Sequence, residues 1–226
     1  MAEPVRVGVV DSGWPLALRD RVDAAHSLVD PRPAGEEGGN AQDRIGHGTR
    51  TLQAIGRLAP AARFAVVQVF GSALRTDGAT VARAVDWLAD QGVALINLSL
   101  GVRQDHAPLR AACERAQARG ILLIASTPAR GEPVFPAAYP GVLRAMGDAR
   151  CAPGQHSALL LPHADFGACV LPPDGDRAHA GASLGCAHLS GRVAALLAAG
   201  VAPDRAAVWQ ALIESAAFHG PERRNT

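Results

Sequence analysis

The sequence predicts an α/β fold in which a mainly parallel sheet is flanked by helices, and three observations support it. Short runs of β-branched and aliphatic residues (5–10, 64–69 and 121–125) recur along the chain. Longer stretches with helical spacing of apolar residues separate them. The runs are apolar on both faces, as strands are when helices cover both sides of a sheet. Alternation of strand and helix then implies parallel strands joined by right-handed crossovers.

Composition narrows the class. At 226 residues, with 48% hydrophobic residues, 24 Gly and 16 Pro, the chain fits one globular domain over 1–226 with many tight loops. The net charge of +1 gives no field for nucleic acid or an anionic membrane surface. Every basic residue is Arg, which removes lysine nucleophiles and Schiff-base chemistry. Cys113, Cys151, Cys169 and Cys186 show no C-x-x-C spacing. They read as reduced, buried small residues rather than a zinc or redox motif. His26, His106, His156, His163, His179 and His219 also lack metal spacing, and no cofactor is expected. The start, Met1-Ala2-Glu3-Pro4, has no basic region or signal core, and the apolar run after it is too short to cross a membrane. A cytoplasmic protein without signal or propeptide is expected.

Taken in order, residues 5–10 form a buried strand that Asp11-Ser12-Gly13 ends, leaving an acid at its carboxyl end. Residues 31–43, rich in Gly, Pro and Glu, form a surface loop. Leu52 and Ile55 open a helical pattern, and 64–69 is a second strand. Val81, Ala84, Val85 and Leu88 mark the buried face of a helix over 80–91, closed by Gly92. Residues 94–101 form a third strand whose end turns polar. A helix over 109–119 stops at Gly120, and 121–125 is a central fourth strand. Pro128, Pro133, Pro136 and Pro140 exclude a helix there. A strand over 142–146 follows, then an antiparallel pair from 158–161 and 168–171. Helices over 183–199 and 203–217 close the chain, with Pro203 near the first turn of the second.

Three side chains stand where such a sheet collects function. Asp11 ends a strand, although an Asx-turn alone would explain it. His47 lies between Gly46 and Gly48 at a helix start, which leaves its ring accessible, although a lone His is often a satisfied surface or core residue. Ser183 lies where the small residues 181–183 meet an apolar helix. Unpaired N–H groups there stabilise an alkoxide or oxyanion, although Ser is also a common N-cap. Together they run Asp…His…Ser, the chain order of the subtilisin type of triad. A lipase-like Gly-x-Ser-x-Gly elbow is missing.

On these residues the chain resembles the subtilisin-like serine proteases, the S8 family, from about Val5 to Ala217. Val9-Val10-Asp11-Ser12-Gly13 and Gly46-His47-Gly48-Thr49 match the family's Asp and His motifs. Residues 96–101, Ile-Asn-Leu-Ser-Leu-Gly, resemble its substrate-binding strand. Residues 135–140 resemble a segment whose first Pro is usually cis. Gly181-Ala182-Ser183 with His188 and Gly191 is similar to its serine signature. The resemblance implies a three-layer subtilisin-like fold and a peptide or protein substrate. It makes Ser183 the nucleophile, His47 the general base and Asp11 its orienting partner. Extended substrate would pair with Ser99, Leu100 and Gly101 as an added strand. His188 would be a packing residue.

The chain also departs from the family. An oxyanion-hole Asn normally follows the strand at 121–125, but Ser126-Thr127-Pro128-Ala129 stands there, with Ala129 at the Asn position. Asn40, Asn97 and Asn225 lie elsewhere. In subtilisin, losing that donor lowers turnover about 10²–10³-fold. Either a Ser126 or Thr127 hydroxyl or a backbone N–H replaces it, or the protein is slow, dedicated or inactive and binds a peptide in its groove. Val134 takes the place of a Gly at the floor of the S1 pocket, implying a small P1 residue, Gly or Ala. Arg130 lies near the rim and would attract acidic side chains. The calcium loop often inserted after Gly48-Thr49 has no counterpart, so that calcium site is expected to be absent. Cys186, one turn after Ser183, reads as a packed small residue rather than a second nucleophile. A specific maturation cut, such as leader-peptide removal, is the expected function.

Overall fold

The computed structural model describes residues 3–29, 41–130 and 132–222. Most of the loop expected over 31–43 lies outside them, as do Asn40 and Asn225. Strands β1 (Arg6–Asp11), β2 (Val22–Ser27), β3 (Arg63–Gln68), β4 (Leu95–Leu98), β5 (Leu122–Ser126), β6 (Leu143–Gly147), β7 (His156–Ala158), β8 (Phe166–Ala168) and β9 (Phe218–His219) form one nine-stranded sheet, ordered β2-β3-β1-β4-β5-β6-β8-β7-β9. Among the described residues only the β7–β8 strand pair is antiparallel. The helices are α1 (His47–Leu58), α2 (Gly78–Asp90), α3 (Ala107–Ala118), α4 (Ala182–Ala198) and α5 (Arg205–Glu214). The expected α/β class and mainly parallel sheet are borne out.

Alternation along the strands builds two cores. Val7 and Val9 of β1, Phe64 and Val66 of β3, and Leu122 and Ile124 of β5 face one side. They pack there on Leu52 and Ile55 of α1, Leu189 and Val193 of α4, and Val208 and Leu212 of α5. Val10, Val67, Ile96 and Leu123 face the other side, against Val81, Val85 and Leu88 of α2 and Leu109 and Cys113 of α3. Each such side chain contributes about 1.5–3 kcal/mol by leaving water. The first three turns of α4 are buried nearly all round, so this helix is the centre of its layer.

Some elements differ from the sequence expectation. β2 lies at the sheet edge with only Ser27 fully buried, so Val22–Ser27 carries no apolar run to announce it. The antiparallel pair forms two residues earlier than expected, because the chain leaves β7 at Leu160, which has φ 52. α5 is shorter than the 203–217 expected, and Phe218–His219 adds an edge strand beyond it. β4 pairs only through Leu98, and among the described residues Ser99–Gly101 carry no sheet pairing. The Phe135–Pro136 bond is cis, as the resemblance implied.

Two glycines set the approach of α1 and α4. A Cβ on Gly48 would stand 2.2 Å from the Gly13 carbonyl oxygen, and one on Gly185 would stand 2.4 Å from that of Met146. Hydrogen at these positions lets both helices start against the carboxyl ends of the strands. Functional groups of open α/β sheets gather at that edge.

Candidate active site

Asp11, the last residue of β1, is fully buried. One carboxylate oxygen accepts from the Ser12 N–H at 2.7 Å and faces His47 Nδ1 at 2.7 Å. The other accepts from Thr51 Oγ1 at 2.9 Å. Facing a carboxylate, Nδ1 carries the proton, and Nε2 is the nitrogen left to act as a base. Burial pushes the His47 pKa down. The hydrogen bond and charge of Asp11 outweigh that, with Asp43 assisting and Arg50 opposing, so the net shift is upward.

His47 opens α1, and the turn before it hangs on Asp43. Its carboxylate accepts from Ser12 Oγ (2.9 Å), the N–H groups of Ile45 (3.0 Å), Gly46 (2.8 Å) and Thr49 (2.7 Å), and Thr49 Oγ1 (2.6 Å). Ser12 Oγ in turn accepts from the Gly48 N–H at 2.8 Å. Burial raises the Asp43 pKa, but the bonds from Thr49, Gly46 and Ser12 lower it further. A carboxylate here also satisfies N–H groups at the positive end of α1. Asp43, Ser12 and Thr51 were not singled out from the sequence. Only the short spacing of Asp43 from the Gly-His-Gly turn hinted at a cap.

Ser183 lies in the first turn of α4. Its Oγ donates to the Ser99 carbonyl at 3.0 Å, and Ser99 Oγ donates to the Ser183 carbonyl at 2.9 Å. Asn97 Nδ2 donates to Ser99 Oγ at 3.0 Å, and Asn97 Oδ1 accepts from Ser190 Oγ at 2.9 Å. The end of β4 and the start of α4 are thus pinned together beneath the site. Ser183 and His47 share no hydrogen bond among the described residues. They line the same two cavities. The larger, of about 720 Å³, also has Phe70, Leu74, Arg75, Thr76 and residues 99–103 in its walls. The smaller, of about 250 Å³, is lined by Arg50, Leu74, residues 178–181 and Leu184.

The other expected residues separate into groups. Ser99, Leu100 and Gly101 line the larger cavity. Thr127 and Val134 share a third cavity, of about 200 Å³, with Pro133, Ala137, Ala138, Arg144, Pro162 and His163. Val134 presses on the back of Gly101, where a Cβ would lie 2.8 Å from Val134 Cγ2. Ser126 is buried at the end of β5 and lines none of these cavities. Arg130 and Ala129 are exposed, and neither lines the Thr127–Val134 cavity. Cys186 is fully buried, within 3.4 Å of Asn97 Oδ1, and burial pushes its thiol up to about 12, so it stays protonated. His188 is buried with Nε2 at 2.9 Å from the Leu171 carbonyl, a packing role. All four cysteines are free and buried. Among the described residues no helix is long and apolar enough to cross a membrane.

The chain is similar to known subtilisin-like proteases in sequence and to solved structures in fold. The subtilisin-like protease het-Q2 of Podospora anserina is 38% identical over 162 residues, covering 65% of this chain and 43% of that protein. The chain spans about half or less of the length of the first curated relatives it matches. Sphericase superimposes with a TM-score of 0.70 at 17% identity, over 95% of this chain and 85% of that one. The epidermin leader peptide processing serine protease EpiP of Staphylococcus aureus gives 0.68 at 18% identity, over 87% and 65%. The model of the subtilase family, the S8 peptidases, matches residues 4–146, a range that holds Asp11, His47 and the β4 edge. With that match over more than half its length, the chain belongs to the subtilase family.

Proposed function

We propose that the protein is a serine endopeptidase of subtilisin type that makes a specific maturation cut, removing a leader from a partner protein. The observation that carries this reading is the 2.7 Å Asp11–His47 pair on a cavity that Ser183 also lines. Rotation of the Ser183 side chain releases Oγ from the Ser99 carbonyl and turns it towards His47 Nε2. Oγ then attacks the scissile carbonyl as its proton passes to Nε2. N–H groups of the first turn of α4 face the oxyanion, with a hydroxyl of Thr127 or Ser126 as the candidate second donor. His47 returns the proton to the leaving amine, leaving an acyl group on Ser183. Water, deprotonated by the same nitrogen, releases the acid product. Asp11 keeps the ring in its working tautomer and stabilises the imidazolium.

Specificity supports a dedicated role. Substrate would add a strand along Ser99, Leu100 and Gly101, whose backbone carries no sheet pairing among the described residues. Val134 lines the candidate P1 cavity and favours a small P1 residue, Gly or Ala, while Arg130 is exposed and does not line it. Four unpaired thiols fit a reducing, cytoplasmic compartment. The protein EpiP, similar in fold, is by name a leader peptide processing protease. In its narrowest form the reading takes the small, cross-linked subunit of quinohemoprotein amine dehydrogenase as the partner, and mass spectrometry of that precursor after incubation tests it.

A second reading is favoured by the bond of the Ser183 hydroxyl to Ser99 and by Ala129 at the Asn position. In it the protein is an inactive relative that holds a peptide in the groove. A fluorophosphonate probe separates the two. Covalent labelling of the wild-type protein that disappears in Ser183→Ala supports the peptidase. A folded wild-type protein that binds peptide and stays unlabelled supports the binding module.

A further inference from the structure

We infer that the arm of the cleft along Ser99–Gly101 selects acidic side chains on the N-terminal side of the scissile bond, read by Arg75 and Arg103. The inference rests on the peptidase reading and names its substrate class. Both arginines are exposed and line the larger cavity with His47 and Ser183. Neither side chain makes a salt bridge or hydrogen bond among the described residues.

The nearby carboxylates are engaged elsewhere. Asp77 caps α2 through the Thr80 N–H at 2.8 Å. Asp105 pairs with Arg110 and accepts from the Tyr139 hydroxyl at 2.9 Å. Among the described residues no carboxylate lines this cavity. The opposite arm differs. Its basic side chains, Arg50 and His179, both lie near Asp176, which accepts from His179 Nδ1 at 2.9 Å and feels the charge of Arg50. Uncompensated positive charge is therefore concentrated on the arm beside the Ser99–Gly101 segment that continues β4.

Two guanidinium groups beside an unpaired extended segment can each grip a carboxylate in a two-pronged contact. A cleft lined by one sign of charge also concentrates the field on an approaching peptide. An added strand rises about 3.3 Å per residue, so the acidic residues would fall within roughly four positions of the cut. Leu74, 55% exposed and lining both arms, would cover the apolar residue next to the bond.

The test uses fluorogenic tetrapeptide amides ending in Ala, with Asp, Ala or Arg at each of the three preceding positions. Cleavage by the wild-type protein and binding to Ser183→Ala by fluorescence anisotropy are both read. Asp-containing peptides should exceed their Ala counterparts by about three- to tenfold in kcat/KM and in affinity, the scale of rim charge pairs. The advantage should shrink as salt shortens the screening length. The double variant R75E/R103E should reverse the order in favour of Arg peptides. Equal binding of all three series to Ser183→Ala, or no reversal in the double variant, overturns the inference and leaves the peptidase reading standing. Acid-selective binding with no cleavage of any peptide overturns the peptidase reading instead and keeps the charge selectivity.

Discussion

His47 is the residue on which opposing forces meet most clearly. Burial favours its neutral form, while Asp11 favours the cation and wins, with Asp43 adding to the effect and Arg50 subtracting from it. A general base works only when neutral, so the acidic limb of kcat/KM should lie above the ordinary histidine value of about 6.5. Arg50→Met removes a positive charge that lowers the His47 pKa, so that limb should move to higher pH, as a pH-rate profile would record. An unmoved or lower limb contradicts the assignment of His47 as the base. Val134 carries the second residue-scale prediction. Wild-type protein should cleave best after Ala or Gly, and Val134→Gly should raise cleavage after Leu about 10–200-fold relative to Ala, the worth of filling a pocket. Best cleavage by wild type after Phe or Leu would refute the narrow-pocket reading. Asp11, His47 and Ser183 were legible in the sequence because each sits in a short motif of glycines and small residues. Asp43, Ser12 and Thr51 were not, because they act through hydrogen bonds that close only when the turn at 43–46 folds back on β1.

At the scale of elements, the start of α4 holds Ser183, the proposed nucleophile, and its seat on β6 is tight. Gly185→Ala places a methyl 2.4 Å from the Met146 carbonyl oxygen, backbone that cannot swing aside. Overpacking of this kind costs about 1–3 kcal/mol. With a shift of about 2–4 °C per kcal/mol for a chain of this size, Tm should fall by several degrees. Activity should fall further than stability, because lifting α4 breaks the Ser99 Oγ bond to the Ser183 carbonyl that fixes the Ser183 backbone. Calorimetry together with a peptide assay at a temperature where the variant is folded checks both, and unchanged Tm and turnover would contradict this seating. The helices were readable because one buried face repeats at helical spacing, as Val81, Val85 and Leu88 show. β2 was hidden for the opposite reason, since an edge strand with one fully buried residue has no apolar pattern to display. The β7–β8 pair was visible in kind but not in register, because the apolar run outlasts the strand and turns away at Leu160.

The whole molecule carries its buried histidines into any change of pH. His156 and His188 are buried, each with Nε2 on a backbone carbonyl, that of Leu212 and that of Leu171 respectively. Burial lowers both pKa values more than those hydrogen bonds raise them, with Arg192 and His219 pushing the same way at His156 and Arg57 at His188. His26, stacked on Trp87, is lowered by burial and then by Arg83. For all three the unfolded chain binds protons more readily than the folded one. Stability therefore falls as pH drops through the unfolded value of about 6.5. His47 has the opposite sign. Its raised pKa adds stability that is complete below 6.5 and is lost as pH rises through the folded value. Asp43 and Asp148 have lowered pKa values, so their contribution is lost only in the more acidic carboxylate range. Between pH 7.5 and 5.5 the three histidines oppose one, so Tm should fall on acidification. His156→Gln, which keeps a donor for the Leu212 carbonyl, should reduce that fall. A Tm that rises between those two pH values would mean that His47 dominates the balance, and that the two core histidines are protonated at little cost.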